Sequence, residues 1–140
     1  MSIHYCKEDV SAPKLQKRKI TRWIKETIHS EGKLSGDISF IFCSDNYLLE
    51  VNKQYLNHDY FTDIITFDYV ENDIISGDIF ISCERVIENA TAFKTTFENE
   101  LSRIIIHGVL HLLGYKDKIK KDKLLMTQKE DFYLALLSNS

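Results

Sequence analysis

Proline is nearly absent from this chain. Pro13 is the only one, so nothing after it fixes φ or removes a backbone donor from a helix or strand. Cysteine is scarce too: Cys6, Cys43 and Cys83 are odd in number, widely spaced and form no C-x-x-C pair. That excludes a disulfide framework or a cysteine-built zinc cluster, and leaves small buried thiols in a reducing compartment as the expectation. No apolar run approaches the roughly 20 residues that span a bilayer. The opening "MSIHYCKEDV" lacks the basic-then-apolar layout of a signal peptide. The expected location is therefore cytoplasmic, with no membrane partner. An excess of positive charge is missing as well. The formal net charge is −3, so any nucleic-acid role must rest on charge gathered on one face.

What is present is an ordinary globular composition, 44% hydrophobic and 28% charged over 140 residues, without repeats or low-complexity segments. Such a chain can bury roughly two thirds of its unfolded surface in one domain, expected to cover residues 1–140. "SIHYC" reads as a short strand. From Lys14 to Ser30 the apolar residues Leu15, Ile20, Trp23, Ile24 and Ile28 recur at helical spacing. "DISFIFCS" reads as a strand buried on both faces, and Ser44 or Asp45 caps the helix "DNYLLEVNKQYL". "DIITFDYV" and "GDIFIS" follow as an antiparallel pair joined by a short link. The pattern turns helical at Cys83, breaks near "KTTF", and resumes from about Glu98 to Leu113, with Gly114 in the usual place after a helix end. A last amphipathic helix runs from about Lys121 to Leu137. The expected fold is a single α+β domain of α/β-like character: a four-stranded mixed sheet, about five helices, and a metal site at the end of a central helix.

That metal site is read from "IIIHGVLHLLGYKDK". His107 and His111 lie four residues apart, one turn up the same helix face, at a separation that suits two imidazole nitrogens meeting one ion. The apolar neighbours Ile104, Ile105, Ile106, Val109, Leu110, Leu112 and Leu113 desolvate both rings. Burying that polarity without partners costs on the order of 1–3 kcal/mol per group. A satisfied pair of core histidines is one reading, a metal pair the other. The break at Gly114 sends the chain back past the helix end, where Asp117 can supply a third ligand. The residue after the first histidine is Gly108, where an H-E-x-x-H metalloprotease carries its general base. A peptidase therefore lacks its proton acceptor, and a glycine inside a helix marks a place where something approaches closely.

"HGVLHLLGYKD" resembles the HGxLHLxGYDH signature of the YbeY family, bacterial ribosomal RNA maturation factors described as metal-dependent endoribonucleases. "VNKQYLNHDYFTDIITFDY" is similar to a second family segment through Asn52, Tyr55, Asp59, Thr62, Asp63 and Phe67. "SGDIFIS" is similar to a third through Gly77 and Asp78. Two departures stand out. The family's third metal histidine is replaced by Asp117, with His58 as the competing ligand, and an arginine that many members carry is here Leu56. Two histidines and a carboxylate form a legitimate catalytic zinc set, with the added negative charge shifting preference toward harder ions such as Mn²⁺.

The resemblance implies one Zn²⁺ per chain held by His107, His111 and Asp117, with an open position for water. It implies Asp63 and Asp78 as groups that orient ligands or accept a proton, and Arg103 or Lys116 as the cation in place of the missing arginine. Lys116, Lys118, Lys120, Lys121 and Lys123 follow the metal motif directly and suit an RNA backbone, while Lys14, Lys17, Arg18 and Lys19 gather at the first helix. Tyr60 and Phe61 can stack on unpaired bases. The implied activity is cleavage of single-stranded ribosomal RNA, in 16S 3′-end maturation and ribosome quality control, with the small ribosomal subunit or its proteins as partner. Its rivals are a non-catalytic ribosome-binding assembly factor with a structural metal, and a metal hydrolase of another substrate.

Overall fold

A computed structural model describes residues 2–139. In chain order the elements are β1 (Ile3–Lys7), α1 (Lys17–Ser30), β2 (Leu34–Cys43), α2 (Asp45–Leu56), β3 (Ile64–Asp68), β4 (Ile74–Ser82), α3 (Cys83–Ala92), α4 (Phe97–Leu112) and α5 (Lys120–Ser138). One four-stranded sheet has the order β1-β2-β4-β3. β1, β2 and β4 are parallel, and β3 closes the far edge antiparallel to β4. The mixed sheet and five helices are the architecture that the alternation of patterns predicts.

Several boundaries move, β2 starting at Leu34 rather than Asp37 among them, and three have a local reason. The first helix starts at Lys17 rather than Lys14, because Leu15 packs against the core from the chain ahead of the helix and Gln16 becomes the cap residue. "KTTF" is not simply a break. Thr96 within it caps α4, its hydroxyl accepting the Asn99 N–H at 3.1 Å. β4 begins three residues before Gly77, and Asn72, at φ 55°, turns the chain into it.

The sheet has one helix layer on each face. In β4, Ile75, Ile79 and Ile81 join Ile38, Phe40 and Phe42 of β2 beneath α1, α4 and α5, whose Ile24, Ile28, Leu101, Ile105, Ile106 and Tyr133 complete the main core. On the opposite face Phe80, Ile65 and Phe67 pack with Leu48 and Val51 of α2. Each large apolar side chain fully withdrawn from water is worth about 1.5–3 kcal/mol, so the main core dominates stability and α4 runs through its centre. Among the described residues, no helix is long and apolar enough to cross a membrane.

Candidate metal centre

The C-terminal half of α4 is apolar on most sides because it is covered on most sides: Ile104, Ile105, Ile106, Val109, Leu110 and Leu112 are all buried. Gly108 is where the helix backbone rests on the sheet. A Cβ there would stand 3.0–3.1 Å from methyl groups of Ile79 and Ile64, which is the close approach that a mid-helix glycine signals. The stripe left uncovered carries His107 and His111, whose side chains keep 21% and 24% of their exposure. They are reachable from solvent, which a purely structural core pair would not need.

The end of α4 is a Schellman turn. The Gly114 N–H donates to the His111 carbonyl and the Tyr115 N–H to the Leu110 carbonyl, both at 3.0 Å, with Gly114 at φ +104°. That left-handed φ suits glycine, because a Cβ would be strained there. The reversal has two results. It sets the Tyr115 carbonyl where the His111 Nδ1–H donates to it at 3.0 Å. It also carries Asp117 back so that Oδ2 lies 3.1 Å from His107 Nε2 and 3.3 Å from His111 Nε2. The two Nε2 atoms are themselves 3.0 Å apart.

The chemistry of this donor set bears on whether it fits a metal ion. The His107 Nδ1–H donates to Glu130 Oε2 at 2.6 Å. Carboxylate and carbonyl oxygens only accept, so in their neutral forms both rings carry the proton on Nδ1 and both Nε2 atoms present a lone pair. Two ring lone pairs and a carboxylate oxygen thus converge with no donor among them. One proton can relieve a single contact, whereas a divalent cation satisfies all three. The sides of the triangle, 3.0, 3.1 and 3.3 Å, approach the ~3.3 Å ligand spacing of tetrahedral zinc with bonds of ~2.0–2.1 Å. The residues present fit a metal ion.

Electrostatics separates the two rings. Burial pushes the His107 pKa down, but the hydrogen bond and charge of Glu130, with Asp117 and Asp63 beyond, outweigh it and hold His107 above the ordinary histidine value. His111 lies below that value, through burial first and then the charge of His107.

Glu130, on α5, is the residue that sequence reasoning missed. It is 6% exposed and lies on the inner stripe of α5 between the buried Met126 and Tyr133. A glutamate at an interior position of an amphipathic helix is the signal that could have found it. Arg103 lies one turn before His107 and is engaged rather than free, with Nη1 donating to Glu130 Oε1 at 2.8 Å and Nη2 to Asp131 Oδ1 at 2.7 Å.

The other expected residues divide. Asp63 is half-buried at the start of β3. Its carbonyl accepts from the Ser82 N–H and its carboxylate is among the charges that bear on His107. Asp78 is not brought to the cluster. In β4 it alternates with Gly77 and Ile79, which face α4, so it lies on the α2 face, where Tyr69 OH donates to it at 3.3 Å. The expected place of Asp78 beside the histidines is corrected by that pleat. His58 is also elsewhere. It stacks on Tyr60 with ring centroids 5.1 Å apart, and the group of potential ligands is His107, His111 and Asp117. Leu56 ends α2 at the surface. Lys116, Lys118, Lys120 and Lys121 are all exposed next to Asp117 in the chain. Tyr60 and Phe61 are exposed as well, with the Arg85 guanidinium over the Phe61 ring.

Comparison with known proteins bears on this geometry. A family model described as Endoribonuclease YbeY matches residues 3–138. A Parabacteroides distasonis protein named Endoribonuclease YbeY is 51% identical over 137 residues, covering 98% of this chain and 96% of its own. One of the same name from Flavobacterium psychrophilum is 60% identical over 114 residues, 81% of each chain. A solution structure of a Thermotoga maritima protein superposes with a TM-score of 0.69 at 30% identity, covering 97% of this chain and 89% of that one.

Proposed function

The chain belongs to the endoribonuclease YbeY family and is an RNA-cleaving hydrolase, and from that premise we propose that it cuts single-stranded ribosomal RNA at a metal centre held by His107, His111 and Asp117. The observation that carries the metal is the convergence of three lone pairs within 3.0–3.3 Å while both Nδ1–H groups are already committed. A bound zinc-class ion supplies Lewis acidity toward a phosphate and lowers the pKa of its water toward neutrality.

The chain's own residues do the rest. His107 and His111 present Nε2 because Glu130 and the Tyr115 carbonyl hold Nδ1. Asp117 contributes the negative charge that favours a cation in the first place. Asp63, whose charge reaches His107, is the nearby carboxylate suited to receive a proton. Lys116, Lys118, Lys120 and Lys121 meet the phosphate backbone on either side of the cut, and their attraction is sequence-independent. The substrate we propose is a strand flexible enough to lay one phosphate against a half-open site, and the family resemblance points to unpaired ribosomal RNA near the 16S 3′ end. The setting we propose is the bacterial cytoplasm, with the small ribosomal subunit or its proteins presenting that RNA for maturation or quality control. One zinc per chain is the expected cofactor, and Mn²⁺ is tolerated through the carboxylate.

The test is metal content and RNA cleavage measured together, on protein purified without added metal, for the parent, His111→Ala and Asp117→Ala. About one zinc per parent chain, lost in both variants along with cleavage, supports the reading. Stoichiometric metal with no cleavage in the parent would leave a structural metal in an assembly factor. Absence of metal in the parent would defeat the site.

A further inference from the structure

We infer that Glu130 is a positioning residue for the metal centre, holding His107 in the tautomer that presents Nε2 to an ion, and that Arg103 serves the site by holding Glu130. The inference rests on the metal reading above and deepens it.

The two histidines are secured in different ways. His111 donates to a main-chain carbonyl that the Schellman turn fixes as soon as α4 ends. Among the described residues His107 meets no backbone acceptor at Nδ1. Its Nδ1–H goes to a side chain 23 residues away on another helix, at 2.6 Å. A neutral imidazole left to itself distributes its proton between both nitrogens, and the Nε2–H form cannot offer Nε2 to an ion. A carboxylate on the far side of the ring selects the Nδ1–H form, fixes the ring plane, and makes the opposite nitrogen a better donor to a cation.

The cost of placing Glu130 argues for a purpose. A carboxylate 6% exposed on the inner stripe of α5 is expensive unless paired. A leucine there would continue the stripe of Met126 and Tyr133. Its two oxygens are divided: Oε1 takes the Arg103 guanidinium at 2.8 Å and Oε2 takes the His107 ring. Arg103 is fixed in turn by Asp131, the next residue of α5. A simple helix-to-helix ion pair would need only Arg103 and the more exposed Asp131, which already meet at 2.7 Å. Glu130 adds what that pair does not: a connection from the docking of α5 to the ligand face of α4.

The experiment uses the full-length, metal-free protein and two readouts that do not depend on cleavage. Zinc affinity is measured by competition with a chromophoric chelator. The histidine tautomers are read from side-chain ¹⁵N–¹H NMR before metal is added. Variants are Glu130→Ala, Glu130→Gln and Arg103→Met. In the parent, His107 is expected as the Nδ1–H form. Glu130→Ala should weaken zinc binding by about 10–100-fold and let His107 populate the Nε2–H form, with His111 unchanged. Glu130→Gln keeps an acceptor oxygen but no charge, so the tautomer should survive while affinity falls by a smaller factor. Arg103→Met should fall between parent and Glu130→Ala.

The inference is overturned if folded Glu130→Ala binds zinc within about threefold of the parent and keeps the His107 tautomer. Should that variant fail to fold, Glu130→Gln decides, and parental affinity in it overturns the inference. A parent that binds no zinc defeats the metal reading instead, and the tautomer of its His107 still tests the role of Glu130.

Discussion

Replacing Glu31 by alanine should cost this protein about 3 kcal/mol, and the structure says where each part comes from. Glu31 directly follows α1, and its side chain is only 14% exposed. Oε1 accepts from Tyr115 OH at 2.6 Å, and Oε2 accepts from Tyr133 OH and from Lys129 Nζ at 3.3 Å. Hydrogen bonds to a charged acceptor contribute roughly 1.5–3 kcal/mol each. Tyr133 keeps a second partner in the Ser30 hydroxyl at 2.8 Å, so its loss is the smaller one. The Lys129 pair, one third exposed on the lysine side, adds less than about 1 kcal/mol.

The assay is urea unfolding in the presence of a chelator, where about 3 kcal/mol lowers the midpoint by roughly 2 M at an m-value of ~1–3 kcal/mol/M. The pH dependence supplies an internal check. Desolvation alone would raise the Glu31 pKa, but Tyr115, Tyr133 and Lys129 together bring it below the ordinary carboxylate value. A depressed carboxylate pKa contributes stability that is complete above the unfolded value near 4.5 and disappears as pH falls through the folded value. The gap between the parent and Glu31→Gln should therefore be full at pH 7 and close on acidification. A midpoint unchanged in Glu31→Ala at pH 7, or a gap that widens in acid, would refute the reasoning.

Other substitutions follow from single contacts. Thr96→Ala removes the cap of α4 and should cost about 1 kcal/mol by thermal or urea unfolding. Gly77→Ala should be worse than Gly108→Ala in the same assay. A Cβ at Gly77 meets the Phe67 carbonyl at 2.5 Å, whereas one at Gly108 meets only methyl groups at 3.0–3.1 Å. The latter gains about 1 kcal/mol of helix propensity against overpacking of about 1–3 kcal/mol. A thiol reagent at pH 8 should modify Cys6 at once and spare Cys43 until the protein unfolds. Cys6 is exposed, while burial, followed by nearby acidic groups, pushes the Cys43 thiol up to about 12.

What was legible in the sequence was what local chemistry decides. The donors of His107, His111 and Asp117 fall within one helical turn and one glycine-dependent reversal, so helical periodicity and the Gly114 signal suffice to bring them together. The strands and helices followed from period and capping, with errors of a few residues where Leu15 packs ahead of its helix and where Thr96 caps rather than breaks. Asp78 was misplaced because β4 is apolar on both faces. Ile79, Phe80 and Ile81 run consecutively, and such a strand hides which face meets α4. The interior position of Glu130 on α5 was readable from helical spacing, but its partner was not, because that depends on how α5 docks. Arg103 shares a helix face with His107 at four residues' distance, so its neighbourhood was readable. The two carboxylates that hold it were not.

The engagement of Arg103 bears on how the RNA is held. Its guanidinium makes two short charge-assisted bonds to α5, and reaching a phosphate would break both and leave Glu130 Oε1 without its cation. Leu56 offers no charge in its place. The positive charge available beside the proposed metal ligands is then lysine: Lys116 and Lys118 flank Asp117 directly, are exposed, and form no ion pair among the described residues. Lysine is a point charge without the planar fork of arginine, so it attracts phosphate without dictating its orientation. Lys116→Ala and Lys118→Ala should each weaken single-stranded RNA binding and flatten its salt dependence by about 0.7 in the log–log slope, with zinc affinity unchanged. Arg103→Met should do the reverse, lowering zinc affinity while leaving the salt slope near that of the parent. A flattened slope in Arg103→Met, measured by fluorescence anisotropy across a salt series, would mean that the arginine leaves α5 to meet RNA, and that the division of labour argued here is wrong.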